Sequence, residues 1–136
     1  MSGEVFLDTN VLVYLHSEDE PEKIAISTQL TNQYLCLTSV QAINEFCNVF
    51  LKRMKKTRHE VDDAVSAILS SCVIKSVDIG TIRYALVLHE RYGYSYYDCV
   101  MLACALENGC TKIYSEDMSS GQIIEDRLLI LNPYEG

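Results

Sequence analysis

Val5-Phe6-Leu7-Asp8-Thr9-Asn10-Val11-Leu12-Val13-Tyr14 is the stretch on which the reading of the chain turns. Val5 to Leu7 is a short apolar run that suits a buried strand, and residues 5–8 are read as that first strand. Asp8 closes the run, and an apolar, helix-like segment from Thr9 to about His16 follows. In an open α/β sheet, an acid at the carboxyl end of a buried strand points into the crevice where ligands bind. An Asp in that place also suits the cap of the following helix. The fragment by itself supports both roles equally.

Outward from this fragment, strands and helices alternate. Pro21 suits the first turn of a second helix, which carries Ile24, Ile26 and Leu30. Tyr34 to Leu37 reads as a strand, and Ser39 as the cap of a long helix reaching about Lys56. His59 to Ser71 is amphipathic, with Glu60, Asp62 and Asp63 placed early to suit the helix dipole. Val73 to Val77 is rich in β-branched residues and reads as a strand. Asp78 to Tyr92 and Ser95 to Asn108 read as helices stopped by Gly93 and Gly109. Thr111 to Ser115 and Leu128 to Leu131 read as the last strands. This alternation predicts an α/β fold with a mostly parallel sheet between helical layers. With 136 residues, and no repeat, linker or low-complexity segment, residues 1–136 are expected to form a single domain.

Composition narrows the function. At 49% hydrophobic residues the chain can build a core, which excludes a disordered class. No apolar run reaches the length of a membrane span. Glu4 and Asp8 interrupt the only apolar N-terminal stretch, so no export signal is expected. Six cysteines occur without a Cys-x-x-Cys pair, which argues against zinc and suits reduced thiols in a cytoplasm. A net charge of −8 repels phosphate, so a nucleic-acid substrate requires metal ions and a local gathering of basic side chains.

Four acids stand in telling places. Asp8 and Asp117 each fall just past a strand end, with Glu116 beside the latter. Asp98 lies in the first turn of a helix that is apolar all round from Cys99 to Leu106. Glu45 lies on the polar side of the long helix with Gln41, Asn48, Lys52 and Lys56, opposite Val40, Ile43, Cys47, Phe50 and Met54. Each has an ordinary explanation: a cap for Asp8, a capping-box variant with Ser95 for Asp98, a solvated surface glutamate for Glu45, a polar loop for Asp117. Taken together, they can converge on one rim of a doubly wound sheet. Clustered carboxylates repel one another and so attract hard cations, for which oxygen ligands and water suit Mg2+ or Mn2+. Two such ions activate water and stabilise the leaving oxygen in phosphodiester hydrolysis.

Four motifs in this order resemble the PIN-domain family, and within it the VapC-type toxin ribonucleases. They are Phe6-Leu7-Asp8-Thr9-Asn10-Val11, Ile43-Asn44-Glu45-Phe46, Ser95-Tyr96-Tyr97-Asp98 with the helix ending in Glu107-Asn108-Gly109, and Tyr114-Ser115-Glu116-Asp117. The resemblance covers nearly the whole chain. It implies a three-layer α/β/α fold and a catalytic, metal-binding quartet of Asp8, Glu45, Asp98 and Asp117. It further implies supporting polar roles for Thr9, Asn10 and Ser115, with Asp117 favoured over Glu116 because Ser115 precedes it by two. The implied activity is RNA cleavage with Mg2+ or Mn2+. The implied partners are an RNA substrate, an antitoxin protein and a second copy of the chain in a homodimer.

Lys52-Arg53-Met54-Lys55-Lys56-Thr57-Arg58-His59 gathers six basic or potentially basic side chains. Lys52, Arg53, Lys55 and Lys56 are candidate RNA contacts, Lys52 lying about 10 Å beyond Glu45 on one helix face. They equally suit a solvated helix end. Tyr92, Tyr94, Tyr96 and Tyr97 can stack on bases or pack at the entrance of the buried helix. His16 and His89 are isolated and read as structural. Two other function classes fit less well. A phosphatase or receiver-like Mg2+ domain would want an acid at position 10 or a Lys at a late strand end, where Asn10 and the strand-opening Lys112 stand. A non-catalytic binding module would have no need of a complete quartet.

Overall fold

A computed structural model describes residues 4–135 of the chain. In order, the elements are β1 (Val5–Leu7), α1 (Thr9–His16), α2 (Pro21–Gln33), β2 (Cys36–Ser39), α3 (Val40–Lys52) and α4 (Arg58–Ser71). There follow β3 (Val73–Lys75), α5 (Ile79–Tyr92), α6 (Tyr96–Glu107), β4 (Lys112–Tyr114), β5 (Ile123–Ile124) and β6 (Leu128–Leu131). The sheet order is β3-β2-β1-β4-β6-β5, parallel throughout except for the β5–β6 hairpin. Every residue of β1 is buried, which requires helices on both faces of the sheet and makes the α/β fold three-layered.

Strand order places the site. The chain runs from β1 outward to β2 and β3, then returns to the other side of β1 as β4. The carboxyl ends of β1 and β4 therefore lie at the point where the order reverses, the place where open α/β sheets leave a crevice. The Asp8 backbone N–H donates to the Tyr114 carbonyl at 3.1 Å and ties these two ends together. α6 packs against α5, β2 and α3, and every residue from Cys99 to Leu106 is buried.

The cysteines belong to this interior. All six are free thiols, and five are buried. Burial pushes the Cys36 thiol up to about 12, so it packs as a small apolar group. No helix among the described residues is long and apolar enough to cross a membrane.

Several boundaries depart from the sequence reading. The second strand is Cys36–Ser39, not Tyr34 to Leu37. Leu35 is largely exposed, whereas Thr38 and Ser39 are fully buried because their hydroxyls find partners. Thr38 Oγ1 donates to the Leu7 carbonyl at 2.9 Å, and Ser39 Oγ accepts the Ala42 N–H at 3.0 Å as the cap of α3. The long helix ends at Lys52 rather than about Lys56. Thr57 and Glu60 form a capping box that starts α4, and Lys55 takes a left-handed φ of 52° where the chain turns between the helices. The core face of α3 is Ala42, Phe46 and Phe50, while Val40 is exposed. The third strand stops at Lys75, short of Val77. The short β5 escaped the reading: its turn to β6 uses Glu125 and Asp126 at φ 53° and 58°, positive angles of the kind a tight hairpin demands.

Candidate active site

Asp8 carries out both roles that its sequence position allows. Its Oδ1 accepts the Thr9 N–H at 2.7 Å and caps α1. Its Oδ2 accepts the Ser115 hydroxyl at 2.8 Å, across the junction of β1 and β4. Only 5% of the residue is exposed. Burial pushes its pKa up to about 7 against the pull of these two hydrogen bonds, and the charges of Asp98 and Glu45 push the same way.

Glu45 lies beside the core residue Phe46, so it is half-buried rather than a solvated surface acid. The Thr9 hydroxyl donates to its Oε2 at 3.3 Å, linking α1 to α3. Burial raises its pKa, and the Asp98 charge adds to the rise. Asp98 occupies the first turn of α6, where its backbone N–H donates to the capping Ser95 Oγ at 3.2 Å. Its pKa is raised by burial and, beyond the opposing Ser95 bond, by the Asp117 charge. Asp117 is exposed; its Oδ2 accepts the Asn10 amide at 2.8 Å, and its backbone N–H reaches Ser115 Oγ at 3.3 Å. Asp8, Glu45 and Asp98 thus come within electrostatic reach, and Asp117 within reach of Asp98, from four separate stretches of the chain. Thr9, Asn10 and Ser115 each hold one or more of them.

The neighbouring acid faces elsewhere. Glu116 accepts the Tyr14 hydroxyl at 2.7 Å and the Lys23 ammonium at 2.5 Å. Although burial pushes its pKa upward, these two bonds hold Glu116 below the usual glutamate range. Lys23 also lies 4.7 Å from the centre of the Tyr14 ring and 5.4 Å from that of Tyr134. This clamp was not anticipated, because its members are distant in sequence and no local pattern links them.

The four salt bridges among the described residues engage Glu20, Glu116, Asp63 and Glu125, so none of the quartet has a protein cation. Their donor set is all oxygen, which fits a hard divalent ion. Among the described residues no group of three acids, histidines or cysteines converges closely enough to enclose an ion by itself.

Beyond Lys52 the basic stretch does not continue the helix face that bears Glu45. Lys52 ends α3, and the turn carries the later residues away. Arg53 and Lys56 line a cleft with Ser17, Glu18 and Asp19, which follow the C-terminal end of α1. Of the tyrosines, Tyr92 donates to Glu125 at 2.8 Å, Tyr94 donates to Gln122, and Tyr96 packs against the core. Tyr97 remains 56% exposed. His16 packs edge-on against Phe46 and His89 bonds the Tyr94 carbonyl, so neither enters the site.

Comparison with known proteins agrees with this fold. The PIN domain profile matches residues 5–119, and the chain belongs to the PIN domain family. Within it, the chain is similar to Ribonuclease VapC23 of Mycobacterium tuberculosis, at 27% identity over 118 residues, covering 83% of this chain and 92% of that protein. Its fold matches the crystal structure of Mycobacterium tuberculosis VapC20, described as a Sarcin-Ricin loop cleaving toxin. That match has a TM-score of 0.70 at 19% identity and covers 90% of this chain and 98% of that one. A toxin-antitoxin complex from Klebsiella pneumoniae matches at a TM-score of 0.73 and 20% identity, over 96% and 98% of the two chains.

Proposed function

We propose that this chain is a metal-dependent endoribonuclease and the toxin of a toxin-antitoxin pair. The observation that carries the reading is that burial raises the proton affinity of Asp8, Glu45 and Asp98, with the Asp98 charge adding to the rise at Asp8 and Glu45, the Asp117 charge adding to that at Asp98, and no protein cation to relieve them. The relatives' names support the substrate and the partner: one is called a ribonuclease, and one neighbour is a toxin-antitoxin complex.

Asp8, Glu45, Asp98 and Asp117 would hold Mg2+ or Mn2+. When bound, the metal supplies an activated water and neutralises charge on the phosphate and leaving oxygen. The remaining residues position these acids. Ser115 and the Thr9 N–H fix both oxygens of Asp8, so its carboxylate cannot rotate freely. The Thr9 hydroxyl orients Glu45, and Asn10 orients Asp117. Lys23 and Tyr14 occupy the Glu116 carboxylate, which supports Asp117 as the fourth ligand. In this reading the protein acts in the cytoplasm, as a homodimer held in check by an antitoxin.

The direct test is cleavage of single-stranded RNA by the purified protein. RNA should be cut with Mg2+ or Mn2+ and stay intact with a chelator. Equal cutting in both conditions would reject the metal site.

RNA must reach this acidic site along a positive path, for which Lys52, Arg53, Lys55 and Lys56 are the proposed contacts. Lys52 continues the helix that bears Glu45 and should matter most. For single strands the slope of log affinity against log salt is about −0.7 per phosphate neutralised. Lys52→Ala should therefore reduce the slope by about 0.7, and replacing all four residues with Ala by up to about 3. Titrations across a salt series read this directly; a slope identical to wild type would remove the stretch from the RNA path.

A further inference from the structure

Beside Glu45 lies a cleft of about 340 Å3, lined by Gln41, Asn44, Glu45, Asn48 and Val49 of α3 and by Tyr97 of α6. Resting on the nuclease reading above, we propose that this cleft is a subsite for one unpaired nucleobase next to the phosphate that is cut.

The lining selects the ligand. Its only charged member is Glu45, whose neighbour in the site is Asp98, so a phosphate or an acidic peptide is repelled. Only Val49 and the Tyr97 ring are apolar, too little to hold the apolar face of a partner helix. What remains is a flat aromatic wall facing amides that both donate and accept hydrogen bonds. A neutral, planar group with a mixed hydrogen-bonding edge matches that lining, and a nucleobase is such a group. Unpaired RNA bases are commonly recognised by stacking on an aromatic ring and by hydrogen bonds to the base edge.

Tyr97 is built for stacking. It is the most exposed ring of its cluster, at 56%. The Tyr96 ring stands against it at 5.4 Å between centroids and an interplanar angle of 61°. Tyr96 in turn packs on the core, so the Tyr97 face is presented with little freedom to lose. Gln41, Asn44 and Asn48 are spaced three and four apart on one side of α3, so their amides share a face. Position completes the argument. Tyr97 immediately precedes Asp98, and Glu45 lines the cleft itself, so a base seated there belongs to a nucleotide flanking the reacting phosphate.

The test is steady-state cleavage, in Mn2+, of a single-stranded oligoribonucleotide with one cut site, together with versions abasic at each position flanking the cut. Tyr97→Ala should raise KM about 5- to 150-fold, the range of one base stack, with the loss in KM rather than kcat. Tyr97→Phe, which keeps the ring, should recover most of the KM lost in Tyr97→Ala. At one flanking position the abasic change should cost the wild type a similar factor and cost Tyr97→Ala nothing further. The subsite is rejected if Tyr97→Ala keeps the wild-type KM, or if the abasic and Tyr97→Ala losses multiply independently at every position. Either result leaves the nuclease reading standing, because the wild type still cuts. Failure of the wild type to cut or bind RNA would instead overturn the nuclease reading, and this inference with it.

Discussion

Asp98→Asn should fold like the wild type and cut RNA at least about 100-fold more slowly, since even residues that merely support metal ligands cost 10- to 100-fold on replacement. The fold should survive because the Ser95 cap bonds the backbone N–H of residue 98, not its side chain. The first turn of α6 loses a favourable charge–dipole contact of about 0.3–1 kcal/mol. It also loses repulsion from Asp117, which raises the proton affinity of Asp98 in the wild type. Circular dichroism and a cleavage assay read the two halves of this expectation. In cells, expression of the wild type without a partner should arrest growth, and Asp98→Asn should relieve the arrest. A folded Asp98→Asn protein with near-native activity would show that the quartet is not the reacting centre.

Asp8→Asn should be more stable than the wild type in chelator at pH 8, and should respond to metal least. Asp8 has a folded pKa of about 7 against an ordinary 3.8. The folded state therefore holds this proton more tightly than the unfolded state. The stability it contributes is fully present below about pH 4 and is lost as pH rises to about 7. At about 1.4 kcal/mol per pH unit, that window limits the gain from Asn to about 4 kcal/mol. Asn keeps the cap on α1 through its carbonyl oxygen, and its amide can donate to Ser115. With Mn2+ at about 100 times its dissociation constant, the wild type should gain about 2.7 kcal/mol, because only the folded state binds the ion. Thermal melts at pH 5 and pH 8, with and without Mn2+, test both signs. A wild-type melt indifferent to Mn2+, or an Asp8→Asn protein less stable than wild type at pH 8, would count against the buried, cation-seeking carboxylate.

Much of this site was legible because it hangs on sheet topology. Asp8 and Asp117 follow apolar runs, and a parallel sheet brings such strand ends to one rim. Glu45 was harder. Its helix pattern put it on a solvated side, and only the position of Phe46 in the core brings it half inside. In the sequence, Ser115 alone favours Asp117 over Glu116; the structure adds a support that no local pattern carries, the hold on Glu116 of Lys23, 93 residues away. The end of α3 was misplaced although its signal was present, since Thr57 and Glu60 have capping-box spacing and the run of lysines concealed it. Thr38 and Ser39 were left out of β2 because polar residues look like loop until their buried partners are known.

The hold of Lys23 on Glu116 also bears on how such a chain can change over evolutionary time. α2 contributes nothing to the quartet, so its surface looks free to drift. Yet loss of Lys23 would leave the Glu116 carboxylate, next to Asp117, with its charge uncompensated and only the Tyr14 hydroxyl to hold it. Positions 23 and 116 are therefore expected to change together among related chains, with loss of the cation accompanied by loss of the acid; independent change at the two positions would count against it.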